Sequence, residues 1–136
     1  MGLAKRIYVI DDDEDDRMLL SQAIGEVIQG IDIREFEYAY NFYLEMPDIF
    51  SDNGSSMILL DMNMPKMSGL ELLREIRRSP EARNIPVILI STSINQRMVS
   101  ECQDLGIEAY LKKPDTTAGF TLVADTIQNC FEKHFQ

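Results

Sequence analysis

Three short apolar runs without a polar break constrain this chain more than any other feature. They are Ile7-Tyr8-Val9-Ile10, Met57-Ile58-Leu59-Leu60 and Val87-Ile88-Leu89-Ile90. A strand that is polar on neither face must be covered on both, and such strands belong to parallel sheets wrapped in helices. The intervening segments supply that cover. Glu14 to Ile28 places Met18, Leu19, Ala23, Ile24 and Val27 at mixed three- and four-residue spacing, and Gly30 ends the helix. Ile31, Ile33 and Phe36 mark a second strand, and Ala39 to Glu45 a short aromatic-rich helix that stops before Pro47. Asp52-Asn53-Gly54 is turn chemistry. Ser68, with Glu71 three residues on, opens a helix through a capping box; it runs to about Arg78 and is stopped by Pro80. Pro86 begins the strand that ends at Ser91, where its missing N–H costs no ladder bond. Asn95 to Leu105 reads as a helix closed by Gly106, Glu108 to Leu111 as a fifth strand, and Thr117 to Phe131 as the last helix. Five strands alternating with five helices make an α/β fold, a (βα)5 doubly wound parallel sheet, expected to occupy residues 1–136 as one domain.

Charge and composition exclude several functions. Thirteen Lys and Arg stand against 23 Asp and Glu, for a net charge of −10. Neither nucleic acid nor an anionic membrane surface is an expected partner. The excess is local, because Asp11 to Asp16 is one unbroken run of six acids. The one histidine is His134, near the end, which argues against His-based metal sites and Ser-His-Asp or Cys-His catalysis. Cys102 and Cys130 form no CxxC and read as reduced, buried thiols. No apolar stretch approaches the ~20 residues that span a bilayer. The N-terminus lacks the apolar region of a signal peptide, and Gly2 lacks the Ser or Thr at position 6 that myristoylation requires. A cytoplasmic location is expected.

In an open α/β sheet the site lies at the carboxyl ends of the strands. The first strand ends in Asp11-Asp12, the third in Asp61 and the fourth in Ser91-Thr92, while Lys112-Lys113-Pro114 follows the fifth. Three carboxylates brought to one sheet edge repel each other, so such a cluster ordinarily holds a cation. Oxygen ligands without His or Cys point to Mg²⁺. Asp13, Glu14, Asp15 and Asp16 are read differently, as a solvated first helical turn that complements the helix dipole.

In this order and spacing the residues resemble the receiver domain of two-component response regulators, over the whole length of the chain. The matching pieces are Tyr8-Val-Ile-Asp-Asp12 with Asp13, Leu59-Leu-Asp61-Met-Asn63-Met-Pro65 with Ser68-Gly69, Val87 to Ser91, and Tyr110-Leu-Lys-Lys113-Pro114. The resemblance implies a flavodoxin-like sheet of strand order 2-1-3-4-5. It implies that Asp61 accepts a phosphoryl group, that Asp12 ligates Mg²⁺ directly and Asp11 through water, and that Asn63 offers its backbone carbonyl. Ser91 and Lys113 would bind phosphoryl oxygens. Tyr110 would act with Ser91 as the switch, and a cis peptide before Pro114 would hold Lys113 inward. The family often has Ala or Gly where Thr92 stands, so Thr92, with Asn63, is expected to tune the lifetime of the phosphorylated state.

The implied role is a signalling phosphoacceptor rather than an enzyme. The phosphodonor would be a sensor histidine kinase or a histidine phosphotransfer protein. A downstream protein would bind the face formed by the fourth helix, fifth strand and fifth helix. With no output domain expected, the chain reads as a phosphorelay intermediate or a protein-binding adaptor of the stand-alone type. The rival is a haloacid-dehalogenase-like, Mg-dependent phosphohydrolase with Asp11 as nucleophile and Asp13 as acid. Against it, Asp15 stands where that pattern wants Thr or Val, a helix follows at once, and Asp61 would have no role.

Overall fold

The three apolar runs lie side by side in the middle of one parallel sheet. The computed structural model describes residues 5–49 and 55–135. Its strands are β1 (Lys5–Ile10), β2 (Asp32–Phe36), β3 (Ser55–Asp61), β4 (Val87–Ser91) and β5 (Ala109–Lys112), in the order β2-β1-β3-β4-β5. The helices are α1 (Glu14–Val27), α2 (Ala39–Ile49), α3 (Gly69–Arg78), α4 (Gln96–Leu105) and α5 (Thr117–Phe135). This is the expected flavodoxin-like doubly wound sheet. The central strands β1, β3 and β4 are buried on both faces, whereas β2 and β5, at the edges, are only half-covered.

Alternation of side chains along the strands divides the core into two layers. Tyr8, Ile10, Ile58, Leu60 and Leu89 meet α2, α3 and α4, while Ile7, Val9, Met57, Leu59, Ile88 and Ile90 meet α1 and α5. Burying a large aliphatic side chain contributes roughly 1.5–3 kcal/mol, so these two layers supply most of the stability. Tyr8, Phe36 and Phe42 add edge-on contacts with ring centroids 5.2–6.4 Å apart.

Several boundaries differ from those read in the sequence, each for a packing reason. The second helix continues through Pro47 to Ile49. Pro47 falls in its last turn, where it forfeits one helical hydrogen bond, and both Met46 and Ile49 pack on the core. Met18 is 55% exposed. The buried stripe of α1 is Leu20, Ala23 and Ile24, and Met18, two residues before Leu20, lies about 200° around the helix from it. The fifth strand is shifted to Ala109–Lys112 by its pairing with Ile88 to Ser91. The last helix reaches Phe135, whose ring packs on Phe131 at 4.7 Å. Asp52-Asn53-Gly54 and the N-terminal Met-Gly lie outside the described residues. Cys102 is buried and Cys130 half-buried, both free. Burial pushes the Cys102 thiol up to about 11, which makes it a packing group and not a nucleophile. No helix among the described residues is long and apolar enough to cross a membrane.

The capping box at Ser68 forms as expected, with Ser68 Oγ accepting from the Glu71 N–H and Glu71 Oε1 from the Ser68 N–H, both at 3.2 Å. It brings Gly69 against the end of β3. A Cβ on Gly69 would stand 2.5 Å from the Asp61 carbonyl oxygen and 2.8 Å from Met62 Cα, both backbone atoms. At Gly25, mid-helix, it would meet only Ile33 Cδ1 at 3.8 Å. Gly69→Ala should therefore destabilise by about 1–3 kcal/mol through overpacking. Gly25→Ala should stabilise by about 0.5–1 kcal/mol through helix propensity. Urea unfolding of the two variants checks the opposite signs.

Candidate functional site

The sheet's hydrogen-bond ladder runs on past the strands and fixes the residues that follow them. The Asp11 N–H donates to the Phe36 carbonyl at 3.1 Å, Met62 to Ile90 at 3.0 Å, and Lys113 to Ser91 at 2.7 Å. Asp11, Asp12, Asp61 and Lys113 are thereby carried to one edge on rigid backbone. One carboxylate oxygen from each of Asp11, Asp12 and Asp61 lies within 4.8 Å of the others. Asp11 and Asp61 are 1% and 2% exposed, and Asp12 is half-buried.

One oxygen of each buried carboxylate is held by backbone. Asp11 Oδ1 accepts from the Asp13 N–H at 2.9 Å, and Asp61 Oδ1 from the Asn63 N–H at 3.1 Å. The other oxygens face Lys113 Nζ, at 2.9 Å from Asp11 Oδ2 and 3.5 Å from Asp61 Oδ2. The Asp11 contact is an ion pair off the hydrogen-bonding axis, which leaves Asp11 Oδ2 buried without a hydrogen-bond partner. One ammonium does not neutralise three carboxylates. Burial, followed by the charge of Asp11, raises the Asp61 carboxyl to about 7, and burial also raises Asp11. Burial works against the Lys113 charge too, but its bonds to Asp11 and Asp16 outweigh that and hold it firmly as an ammonium. Lys112 is exposed.

Beside this cluster Ser91 is buried, and the Asn63 side-chain amide donates to Ser91 Oγ at 3.1 Å and to Thr92 Oγ1 at 3.4 Å. Tyr110 is half-buried and its hydroxyl shares a hydrogen bond with Ser91, while burial pushes the phenol up. All the residues singled out at the strand ends therefore meet, in two touching groups: acids with Lys113, and hydroxyls with Asn63.

Three readings from the sequence change. The peptide before Pro114 is trans, as are all peptide bonds among the described residues. Lys113 points inward because its own N–H is held by Ser91 and its ammonium by three carboxylates. Asp13 does not join Asp11; it caps α1, its Oδ1 accepting from the Asp16 N–H at 3.0 Å, which removes the acid that the dehalogenase-like reading needs. Asp16 is not a solvated helix-start residue, since its Oδ2 lies 2.9 Å from Lys113 Nζ. Nothing local signals that contact, because the partners are 97 residues apart in sequence. Arg17 was also missed; it donates to the Asp11 carbonyl at 2.7 Å and to Glu35 at 3.0 Å, tying α1 to the ends of β1 and β2.

Residues 7–123 match the family model of the response regulator receiver domain. The response regulator Rcp1 of Synechocystis sp. is 30% identical over 112 residues, 80% of this chain and 76% of that one. Its Mn(2+)-bound crystal structure superposes with a TM-score of 0.78 at 25% identity, covering 92% of each chain. The phosphorylated cyanobacterial phytochrome response regulator RcpA superposes with a TM-score of 0.83 at 25% identity, over 98% of this chain and 97% of that one. The chain spans less than half the length of two plant response regulators that it also matches.

A carboxyl whose folded value stands above its unfolded value favours the native state when protonated and weighs against it when ionised. Asp61, raised from 3.8 to about 7, therefore lowers stability as pH climbs through that window. In chelator at pH 8, Asp61→Asn should exceed the parent in unfolding free energy by about 1–3 kcal/mol, discounted for the loss of a Lys113 partner. The difference should vanish near pH 4. Urea titrations at the two pH values check it.

Proposed function

The chain belongs to the response regulator receiver domain family, the phosphoacceptors of two-component systems, and from that premise we propose that Asp61 accepts the phosphoryl group. The convergence of Asp11, Asp12 and Asp61 on Lys113 carries this reading. Asp61 attacks the phosphorus of a phosphohistidine on a sensor histidine kinase or phosphotransfer protein. An acyl phosphate bond forms and the P–N bond breaks, with the electron pair leaving on the imidazole nitrogen. Lys113 meets one phosphoryl oxygen with its ammonium and Ser91 another with its hydroxyl.

The donor set also fits a hard divalent cation, for which we propose Mg²⁺. Every available ligand is oxygen, and Asp11 Oδ2 is a buried acceptor with no hydrogen-bond donor. Asp12 and Asp61 would hold the ion directly, Asp11 through water, and Asn63 by its backbone carbonyl. Bound there, it neutralises carboxylate and phosphoryl charge that Lys113 alone leaves uncompensated. The Mn(2+)-bound state of Rcp1 supports the same assignment.

Switching follows from the bonds that Ser91 already makes. To reach a phosphoryl oxygen, Ser91 gives up its bonds to Asn63 and Tyr110. Tyr110 then repacks. An exchange of one or two hydrogen bonds shifts a population by a few kcal/mol at most. The partner face is α4, β5 and α5, where Met98 and Leu122 are exposed apolar side chains. A receiver that binds a target or relays its phosphoryl group through this face is the role these features support.

Two experiments test this. Incubated with Mg²⁺ and acetyl phosphate, the protein should gain one phosphoryl group by intact mass, and should gain none in excess chelator or as Asp61→Asn. Asp12→Ala should weaken Mg²⁺ binding at least tenfold more than Asp13→Ala; the reverse order would shift the ligand register by one residue. The second experiment concerns lifetime. Thr92 is exposed beside Ser91, with Asn63 bonded to both, so its methyl group stands near the path of attacking water. Thr92→Ala should lose its phosphoryl group about tenfold faster, ~1.4 kcal/mol of barrier. Equal or slower single-turnover decay would mean that Thr92 gives no shielding.

A further inference from the structure

We propose that Asp16 is a positioning residue that holds Lys113 back from the phosphoacceptor and so sets how readily the site takes a phosphoryl group. The proposal rests on the reading of Asp61 as that acceptor. Lys113 Nζ stands 2.9 Å from Asp11 Oδ2, 2.9 Å from Asp16 Oδ2 and 3.5 Å from Asp61 Oδ2. An ammonium has three N–H bonds. All three have a carboxylate facing them, and the acceptor's is the farthest.

Asp16 has no other use in the site. Its oxygens are not among those that converge within 4.8 Å. It is nonetheless held in place, because its backbone N–H is bonded to the Asp13 cap at 3.0 Å, in the first turn of α1. That geometry keeps its carboxylate beside Lys113 while α1 is intact. Asp16 is also the most exposed of the three acids, at 28% against 1% and 2%, so its charge is the one an approaching donor meets first. Two effects of Asp16 then share a sign. It occupies an N–H that a phosphoryl oxygen needs, and its charge repels an anionic donor. Both slow phosphorylation. Partial exposure screens the charge, so the combined effect is modest.

Asp16→Asn keeps the size and a hydrogen-bond acceptor while removing the charge; Asp16→Glu keeps the charge. At saturating Mg²⁺ the Asn variant should be phosphorylated by acetyl phosphate three- to tenfold faster than the parent and bind beryllofluoride tighter by a similar factor. The Glu variant should stay within twofold of the parent in both. Equal rates in the parent and Asn variant, with a change only in urea midpoint, would make Asp16 a structural tie between α1 and β5 and overturn the proposal. A slower Asn variant would mean that Asp16 orients Lys113 productively, and would overturn it too. Absence of labelling in the parent removes the acceptor reading and the proposal together, an outcome distinct from the other two.

Discussion

The structure depends on how an excess of carboxylate charge is carried at one edge of its sheet. Asp11 and Asp61 are buried within reach of each other and of Asp12, with one ammonium between them. Left in water, these acids would drift apart. Here each is the residue that follows, or ends, a strand whose ladder bonds cannot be given up cheaply. The cost appears as an Asp61 carboxyl raised to about 7 and an Asp11 oxygen without a hydrogen-bond donor. Both features weigh against folding, and both are what a cation and a phosphoryl group would relieve.

Stability has to come from elsewhere in the molecule. The three central strands are apolar on both faces and bury two complete layers against α1 and α5 on one side and α2, α3 and α4 on the other. Close approach of α3 to the end of β3, allowed by Gly69, keeps Asp61 from relaxing away from its neighbours. The same rigidity serves the second group of residues. Ser91 is fixed between Asn63 and Tyr110, so a displacement of its hydroxyl alters contacts on two strands at once. A site on looser elements would absorb such a change locally.

How much of this was legible in the sequence follows from where each signal is encoded. The central strands were plain, because burial on both faces removes every polar alternative, and Asp11, Asp12, Asp61, Ser91 and Lys113 were legible as what stands at their ends. Ser68 and Glu71 announced their helix because capping is a local interaction. Pro47 misled, since a proline ends a helix only when its missing bond outweighs burial, and Met46 and Ile49 reverse that balance. Met18 misled because an amphipathic stripe is defined by its phase, which one residue cannot fix. Asp16 was unreadable, since its partner Lys113 comes near it only through the order of the strands. The inward turn of Lys113 was legible, but its attributed cause, a cis peptide at Pro114, was not the one that operates.

The most direct test of the central claim is the melting temperature of the unmodified protein in three conditions: excess chelator, saturating Mg²⁺, and Mg²⁺ with beryllofluoride. Ligands that bind only the native state stabilise it in proportion to their affinity. The account predicts a rise of several degrees from the first condition to the second and a further rise in the third, both lost in Asp61→Asn. A melting temperature that is the same in all three, or that Asp61→Asn shifts in the same way, would contradict it.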